Sequence, residues 1–298
     1  MPNVIFTQPF LVNASLADKC GNKVVVLDLA FNGGSPQGKG INEEQYQATT
    51  ASFINALGDR LVAWVDHHPH RAWSEYSEDA RFHLFSREEA PACPPLITTD
   101  LVRQIGETDT IVAHGDFDGV ISACKWALEG REVYHLADED SIAADSRVGT
   151  LSPMGLRLEE AMKANLADDS IRQAIFDEFV YGSFDASAKI NDARERYAEI
   201  QQETQRLAKL FEINGRVAYV DAAEQSVNFF DLTQLLLAGQ KVADVAVVRN
   251  AQRGNVQVTI AGPKSWNFVE MFGLNGGMPN RVNLPDGDVS EIIARINA

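Results

Sequence analysis

A chain of 298 residues, 45% of them hydrophobic, is long enough for one large globular domain or two ordinary ones. Its formal net charge of −16 argues against a partner with a long phosphate backbone, but it does not exclude small phosphorylated molecules. No apolar run approaches the roughly 20 residues of a membrane span. The N-terminal segment predicts no secretion signal, and the three cysteines form no paired motif. A cytoplasmic protein is therefore expected.

The first predicted elements are strands. Residues 3–6 indicate a short strand, and the apolar run 24–27 is typical of a buried parallel strand that ends in Asp28. A glycine-rich loop follows, from Gly33 to Lys39, and it nearly matches a phosphate-binding loop. Since the serine or threonine that would bind magnesium is absent, nucleotide triphosphate hydrolysis at this loop is only an alternative interpretation.

A second apolar run ends in a cluster of imidazoles. Asn42 is the predicted cap of a helix that leads to the strand 61–65, which ends in Asp66, His67 and His68. Neutral imidazole is the commonest metal ligand, and an adjacent aspartate can fix its tautomer. His83, by contrast, is predicted to be a structural histidine.

A third run, residues 110–113, ends in His114, Asp116 and Asp118, and Gly119 begins a helical pattern. The three side chains alternate, so an extended backbone would point them the same way. Two carboxylates in one turn repel each other unless a cation or a proton lies between them, and open α/β sheets bind ligands at this edge. The pattern therefore predicts metal binding or catalysis, with a solvated surface turn as the alternative.

The next segments are predicted as a strand over 132–136, an apolar lead that ends in Asp145, and a helix throughout 153–179. Residues 190–211 repeat apolar side chains at spacings of three and four, which indicates a long helix with one apolar stripe. This helix is expected to pack within its own chain, and a homodimer contact is the alternative.

After residue 213 the pattern indicates a second, smaller domain. Strands are predicted over 217–220, 242–248 and 255–260, and helices over 231–237, around Phe268 and over 289–296. The predicted organisation is a domain over 1–185, a connecting helix over 186–213 and a domain over 214–298. The fold class is α/β, a mostly parallel sheet with helices on both faces plus a smaller α/β domain.

Asp66-His67-His68 together with His114-x-Asp116-x-Asp118-Gly119 resembles the DHH phosphoesterase superfamily. Its members are manganese-dependent enzymes, including single-strand exonucleases, oligonucleotide and cyclic-dinucleotide phosphodiesterases, and inorganic pyrophosphatases. The resemblance implies a DHH-like domain followed by a DHH-associated substrate-binding domain. Because Asp28 and Asp66-His67-His68 precede the His114 motif, it also implies a circular permutation of the strands.

The resemblance implies two Mn²⁺ ions, with Mg²⁺ or zinc as alternatives. The implied metal ligands are His114, Asp116, Asp118, Asp28, His67 and Asp145, with Asp28 between the ions. It further implies that His68 contacts the phosphoryl group, that Asp66 orients an imidazole, and that Arg147 contacts phosphate.

The second domain departs from the family pattern. Gly276-Gly277-Met278-Pro279 keeps the glycines of a phosphate-binding Gly-Gly-His loop but lacks its imidazole. The arginine usual on the preceding strand is also absent, and Arg281 is the predicted replacement, with Lys264 and Arg249 as alternatives. Gly276, Gly277 and Arg281 are therefore the predicted substrate contacts in this domain.

The predicted function is hydrolysis of small phosphate esters by two metal ions. Short oligonucleotides, nucleoside bisphosphates and cyclic dinucleotides are the expected substrates, with no membrane and no long nucleic acid as partner. The alternatives are a non-catalytic binding or regulatory protein of the same fold, which the altered loop motivates, a pyrophosphatase-like phosphoanhydride hydrolase, and a metal enzyme of other chemistry.

Overall fold

The computed structural model describes residues 2–33, 43–146, 150–165, 168–225, 229–251, 255–274 and 279–298. These residues form two compact units, which divide between Arg196 and Tyr197. The division falls within the helix Phe184–Ala208, the counterpart of the long helix predicted over 190–211. Each unit contains a five-stranded sheet.

The sheet of the first unit is entirely parallel. Its strands are β1 (Asn3–Thr7), β2 (Val24–Leu27), β3 (Leu61–Asp66), β4 (Phe82–Leu84) and β5 (Thr110–His114), in the order β1-β5-β2-β3-β4. The helices are α1 (Ala14–Ala17), α2 (Glu43–Tyr46), α3 (Ser52–Leu57), α4 (Thr99–Ile105), α5 (Phe117–Ala127), α6 (Ala137–Ser146), α7 (Pro153–Lys163), α8 (Asp169–Tyr181) and α9 (Phe184–Ala208).

Alternate residues of β2 enter two different cores. Val25 and Leu27 lie in a cluster with residues of α5, α7 and α8, whereas Val24 and Val26 lie in a cluster with residues of α1 and α3. A strand buried on both faces requires the continuous apolar run that β2 has. The predicted fold class, a parallel sheet with helices on both faces, is therefore confirmed.

The second unit contains a smaller, mixed sheet. Its strands are β6 (Glu212–Asn214), β7 (Val217–Asp221), β8 (Val245–Asn250), β9 (Gln257–Ala261) and β10 (Arg281–Pro285), in the order β10-β9-β8-β7-β6. Only β7 and β8 pair in parallel. The helices are α10 (Leu232–Gln240), α11 (Phe268–Met271) and α12 (Val289–Asn297). The predicted second α/β region is thus confirmed, and β6 and β10 are additions to it.

Two predicted elements are wrong. Residues 132–136 form a turn rather than a strand, because the Glu132 carboxylate accepts a hydrogen bond from the Leu136 amide at 3.0 Å and Leu136 has a φ of 73°. The helix predicted throughout 153–179 is two helices, since the side chain of Asp168 accepts from the Ser170 amide and caps α8. Among the described residues, no helix combines the length and apolar character that a membrane span needs.

Candidate metal centre

The candidate site lies at the carboxyl ends of β5, β2 and β3, which are neighbours in the sheet. Asp28 directly follows β2, Asp66 is the last residue of β3, and His114 is the last residue of β5. The register aligns the last residue of β2 with the penultimate residues of the other two strands, so the three polar residues lie level. Because β2 is the middle strand, Asp28 contacts groups from both sides.

Asp28 is fully buried and adopts a φ of 56°, a left-handed conformation that residues other than glycine rarely adopt. Its amide donates to the Val65 carbonyl at 2.9 Å. Neither carboxylate oxygen has a hydrogen-bond partner among the described residues. The nearest ring nitrogens belong to His67, at 3.1 Å, His114, at 3.7 Å, and His68, at 3.8 Å. A buried carboxylate of this kind requires a compensating positive charge.

His67 presents one ring nitrogen to the acidic cluster. Its Nδ1–H donates to the Ala90 carbonyl at 2.9 Å, and this bond directs Nε2 at Asp28 and, at 3.5 Å, at Asp118. Burial alone would lower the pKa of His67, but the carboxylates of Asp118 and Asp28 outweigh it and raise the pKa to about 11. The imidazole is thus oriented as metal-bound histidines are, with its outer nitrogen held by a carbonyl.

His114 has the same kind of orientation. Its Nε2–H donates to the Gln8 side-chain oxygen at 3.1 Å, and Nδ1 lies 2.8 Å from Asp116 Oδ2 and 3.7 Å from Asp28. Burial would lower the pKa of His114, yet the Asp116 and Asp28 carboxylates raise it to about 11. Both histidines therefore occupy strongly negative surroundings.

The turn into α5 brings the two remaining acidic residues of this motif to the site. Asp116 caps the helix by accepting from the Gly119 amide at 3.3 Å, and Asp118 lies in the first helical turn. A Cβ atom on Gly119 would lie 2.3 Å from the His114 carbonyl oxygen, so only glycine fits this turn. The succession of strand, turn and helix that this stretch predicts is confirmed. The extended backbone ends at His114, so the three side chains meet through the turn and not by alternation along a strand.

Asp118 is buried, and the pKa of its carboxyl is raised well above the usual range. Burial is the main cause, and the Asp28 and Asp116 carboxylates add to it. A carboxyl group in such a position holds a proton unless a cation is bound beside it. The crowding of carboxylates is thus expressed in the raised pKa values of His67, His114 and Asp118.

His68 differs from the other two imidazoles because 21% of its side chain is exposed. Its Nδ1–H donates to Asp66 Oδ1 at 2.8 Å. This bond fixes the ring and leaves Nε2 as the atom available to a bound molecule. Asp66 therefore orients a neighbouring imidazole in the way a carboxylate does in catalytic and metal sites.

Among the described residues, three groups of side chains could each hold a cation, since the ligand atoms within each group lie within 4.8 Å of one another. The groups are Asp28-His67-His68, Asp28-His114-Asp116 and His67-Asp118-Asp145. Asp28 belongs to two of them, and so does His67. The unpartnered atoms Asp28 Oδ1 and Oδ2, His67 Nε2 and His114 Nδ1 converge here. Carboxylate oxygen and imidazole nitrogen are donors that suit Mn²⁺, Mg²⁺ or zinc, so the residues fit a divalent metal.

Of the predicted site residues, eight come together at this edge: Asp28, Asp66, His67, His68, His114, Asp116, Asp118 and Asp145. Asp145 reaches the site from the last turn of α6. Arg281 begins β10 in the second unit. Arg147, Gly276 and Gly277 lie outside the described residues, and so do Asn42 and Lys39.

Three contributors were not predicted. Gln8 and the Ala90 carbonyl hold the outer nitrogens of the two buried histidines, and Arg87 forms an ion pair with Asp145. Burial alone would lower the pKa of Arg87, but Asp145, Asp118 and Asp28 raise it. Gln8 follows a strand directly, which is the signal that identified Asp28; Arg87 follows β4, a strand that was not predicted.

Comparisons with known proteins find no matching family model and no matching curated protein. Among solved structures, the chain is similar to a pGpG-specific phosphodiesterase, PggH, from Vibrio cholerae, with 13% identity, a TM-score of 0.43, and coverage of 64% of this chain and 81% of that chain. It is also similar to an exonuclease RecJ bound to manganese, with 11% identity, a TM-score of 0.47, and coverage of 95% and 92%.

A third similar structure is an exopolyphosphatase-related protein from Bacteroides fragilis, with 11% identity, a TM-score of 0.31, and coverage of 95% of this chain and 92% of that chain. These are distant likenesses of fold. The chemistry of the site follows from the chain's own residues.

Proposed function

We propose that this chain is a metal-dependent phosphoesterase that hydrolyses small phosphate esters with two divalent cations, Mn²⁺ or Mg²⁺. The observation that carries the proposal is the Asp28 carboxylate, which is fully buried, has no hydrogen-bond partner among the described residues, and is surrounded by three imidazoles. A charged group in such a position costs several kcal/mol unless positive charge compensates it. A bound divalent cation supplies that charge, and in its absence the protonated imidazoles around Asp28 supply it. Its left-handed backbone adds strain of a kind that is concentrated at functional sites.

The grouping of ligand atoms supports two cations rather than one. Asp28, His114 and Asp116 would hold the first. His67, Asp118 and Asp145 would hold the second, and the Asp28 carboxylate lies 3.1 Å from His67 Nε2. When bound, divalent cations polarise phosphoryl oxygens and lower the pKa of water, so that a nucleophile forms near neutral pH. With a cation bound, Gln8 and the Ala90 carbonyl would keep His114 and His67 in the neutral tautomers that leave a lone pair on the inner nitrogen.

His68 is the proposed contact for the reacting phosphoryl group. Asp66 accepts its Nδ1–H and stabilises the positive charge of the protonated ring. Nε2–H can then donate to a phosphoryl oxygen or give its proton to the leaving oxygen of the ester. The partial exposure of the His68 side chain lets a substrate reach it, whereas the His67 side chain is fully buried.

The net charge of −16 supports small substrates over long nucleic acids. Short oligonucleotides, nucleoside bisphosphates and cyclic dinucleotides are the proposed classes. Each combines a phosphate ester with few negative charges outside the reacting group. The bound cations would supply the positive charge that the protein surface lacks.

The test is hydrolysis of bis-p-nitrophenyl phosphate by the purified chain with Mn²⁺, followed by a panel of dinucleotides, cyclic dinucleotides, nucleoside bisphosphates and pyrophosphate. We expect turnover that EDTA removes and Mn²⁺ restores. His68→Ala should lower turnover while Mn²⁺ binding persists, and Asp100→Asn, at an exposed residue of α4, should change neither. Mn²⁺ binding without turnover of any ester would contradict a phosphoesterase and favour a binding protein; turnover of pyrophosphate alone would favour a phosphoanhydride hydrolase.

A further inference from the structure

We infer that Arg87 binds a phosphoryl oxygen of the substrate at the metal centre. This inference rests on the proposed function, because cations at the centre are needed to bring a phosphate there. Arg87 belongs to none of the motifs in the sequence. It lies in the loop that follows β4, at the same carboxyl edge of the sheet as the metal ligands.

The loop that carries Arg87 is anchored to the site on both sides. Before it, the Phe85 amide donates to the Asp66 carbonyl at 3.0 Å; after it, the Ala90 carbonyl accepts from His67 Nδ1 at 2.9 Å. The loop is also closed internally, since the Glu89 carboxylate accepts from both the amide and the hydroxyl of Ser86 at 2.8 Å. The backbone of Arg87 is thus positioned by two residues of the Asp-His-His motif.

The Arg87 side chain lies against the ligand cluster and is partly exposed to solvent. It forms a close ion pair with Asp145, and 31% of the Arg87 side chain is exposed, against 13% for Asp145. In the described part of the chain, no other lysine or arginine pairs with a carboxylate of the centre. The guanidinium therefore pairs with a proposed metal ligand, on a side chain that an incoming molecule can reach.

The charge of the centre calls for such a group. Asp28, Asp66, Asp116, Asp118 and Asp145 contribute five negative charges when they are ionised. Two divalent cations would neutralise four of them and the protonated His68 would offset the fifth, so no positive charge remains to balance an incoming ester phosphate. Arg87 supplies the missing positive charge, and its planar fork of N–H donors matches two phosphate oxygens.

The experiment compares Arg87→Met and Arg87→Lys with Arg103→Met, an exposed arginine of α4. Mn²⁺ affinity is measured from the electron paramagnetic resonance signal of free Mn²⁺, and inorganic phosphate binding to the Mn²⁺-loaded chain from the broadening of the ³¹P signal. For Arg87→Met we expect phosphate affinity to fall about 10- to 100-fold, the range for a hydrogen-bonded charge. Mn²⁺ affinity should not fall, since Asp145 loses a competing cation. Arg87→Lys should restore part of the phosphate affinity, and Arg103→Met should match wild type.

Kinetics add a second discrimination. Arg87→Met should raise KM for a phosphate ester more than it lowers kcat, provided that the contact is made in the bound substrate. Weaker Mn²⁺ binding with unchanged phosphate affinity would overturn the inference, because Arg87 would then only position Asp145. If the wild-type chain hydrolyses esters and Arg87→Met binds phosphate as the wild type does, the inference about Arg87 would be overturned while the proposed function would stand. A wild-type chain that binds no Mn²⁺ would overturn the proposed function and this inference with it.

Discussion

Two strands of this chain have nearly the same sequence, but the aspartates at their ends differ in whether the protein supplies their hydrogen-bond and charge partners. β3 ends in Val-Ala-Trp-Val-Asp66, and β7 is Val-Ala-Tyr-Val-Asp221. Asp221 is satisfied by the protein: Arg249 Nη1 donates to it at 2.9 Å, and the amides of Ala223 and Glu224 donate at 3.0 and 3.1 Å. Asp66 has one oxygen on His68 and one without a hydrogen-bond partner among the described residues.

The difference comes from the neighbouring strand. β8 places Arg249 directly beside Asp221, and the same arginine also pairs with Asp286, so the carboxylates there are neutralised within the fold. β2 places Asp28 beside the end of β3, which adds negative charge to negative charge. An apolar strand that ends in aspartate is therefore not a site in itself. The arrangement of charges on the adjacent strand decides whether the edge binds a cation.

Replacement of the Asp28 carboxylate by an amide should have the largest effect on the difference between the ends of β3 and β7. Asp28→Asn keeps the side-chain shape but removes the charge between the imidazoles. We expect Mn²⁺ affinity to fall by more than about a hundredfold, which is the largest loss typical of residues that only hydrogen-bond to a metal ligand. Phosphoesterase turnover should fall to the level of the EDTA-treated chain. Asp221→Asn is the matched control: it should leave Mn²⁺ affinity unchanged and cost about 1 kcal/mol of unfolding free energy. Equal Mn²⁺ affinity in the two variants would contradict the account.

The affinity for Mn²⁺ should rise with pH. In the absence of a cation the pKa values of His67 and His114 are about 11, so near neutrality both rings are imidazolium cations with a proton on each nitrogen. The raised pKa of Asp118 likewise favours a protonated carboxyl in the metal-free chain. A metal ligand must lose that proton, so the metal-free state binds more protons than the loaded state. We expect about a tenfold gain in affinity per pH unit for each proton released between pH 6 and 8.

Isothermal titration calorimetry in buffers of different ionisation enthalpy measures this release directly. The protons released per Mn²⁺ follow from the dependence of the apparent enthalpy on the buffer. An affinity that stays constant from pH 6 to 8, with no dependence on the buffer, would show that the imidazoles are not ligands. Asp221→Asn should give the same proton count as wild type.

The turn into α5 offers a smaller, geometric perturbation. Gly119→Ala would place a Cβ 2.3 Å from the His114 carbonyl oxygen, so the turn must shift. We expect a loss of about 1–3 kcal/mol in unfolding free energy and up to about a hundredfold in Mn²⁺ affinity. Gly287→Ala is the control, because the nearest atom to its Cβ is 3.8 Å away. Chemical denaturation and Mn²⁺ titration measure both effects; wild-type affinity in Gly119→Ala would show that the turn does not position the ligands.

The smallest expected effect concerns the residue that holds the outer nitrogen of His114. Gln8→Leu removes the acceptor for Nε2–H, and we expect Mn²⁺ affinity to fall about tenfold. Gln8→Glu keeps an acceptor in place and should restore most of the affinity. The same titration compares the three proteins. No loss in Gln8→Leu would mean that packing alone orients the ring.

The parallel sheet and the ligand cluster were predictable because both follow from local patterns. Apolar runs of four to six residues that end in aspartate or histidine identify buried strands with polar carboxyl ends, and Asp28, His67 and His114 all carry this signal. The meeting of these residues was predictable because parallel strands share one edge. The separation of Asp221 from them was not, since it depends on the pairing of Arg249 across β7 and β8.

Other parts of the site depend on long-range packing. Gln8 meets His114 only because β1 pairs with β5, more than a hundred residues away. Arg87 follows β4, three partly buried residues with no apolar run, so no periodicity indicated a strand there. Conversely, residues 132–136 alternate like a strand, but the side chain of Glu132 closes a turn. Hydrogen bonds made by single side chains override such short patterns.

The most direct test is the crystal structure of the chain grown with Mn²⁺, with anomalous data collected at the manganese edge. We expect two anomalous peaks at the carboxyl ends of β5, β2 and β3, both within ligand distance of the Asp28 carboxylate. Peaks elsewhere, or a protein donor such as an arginine on Asp28 with no manganese beside it, would contradict the central claim that this edge is a metal centre.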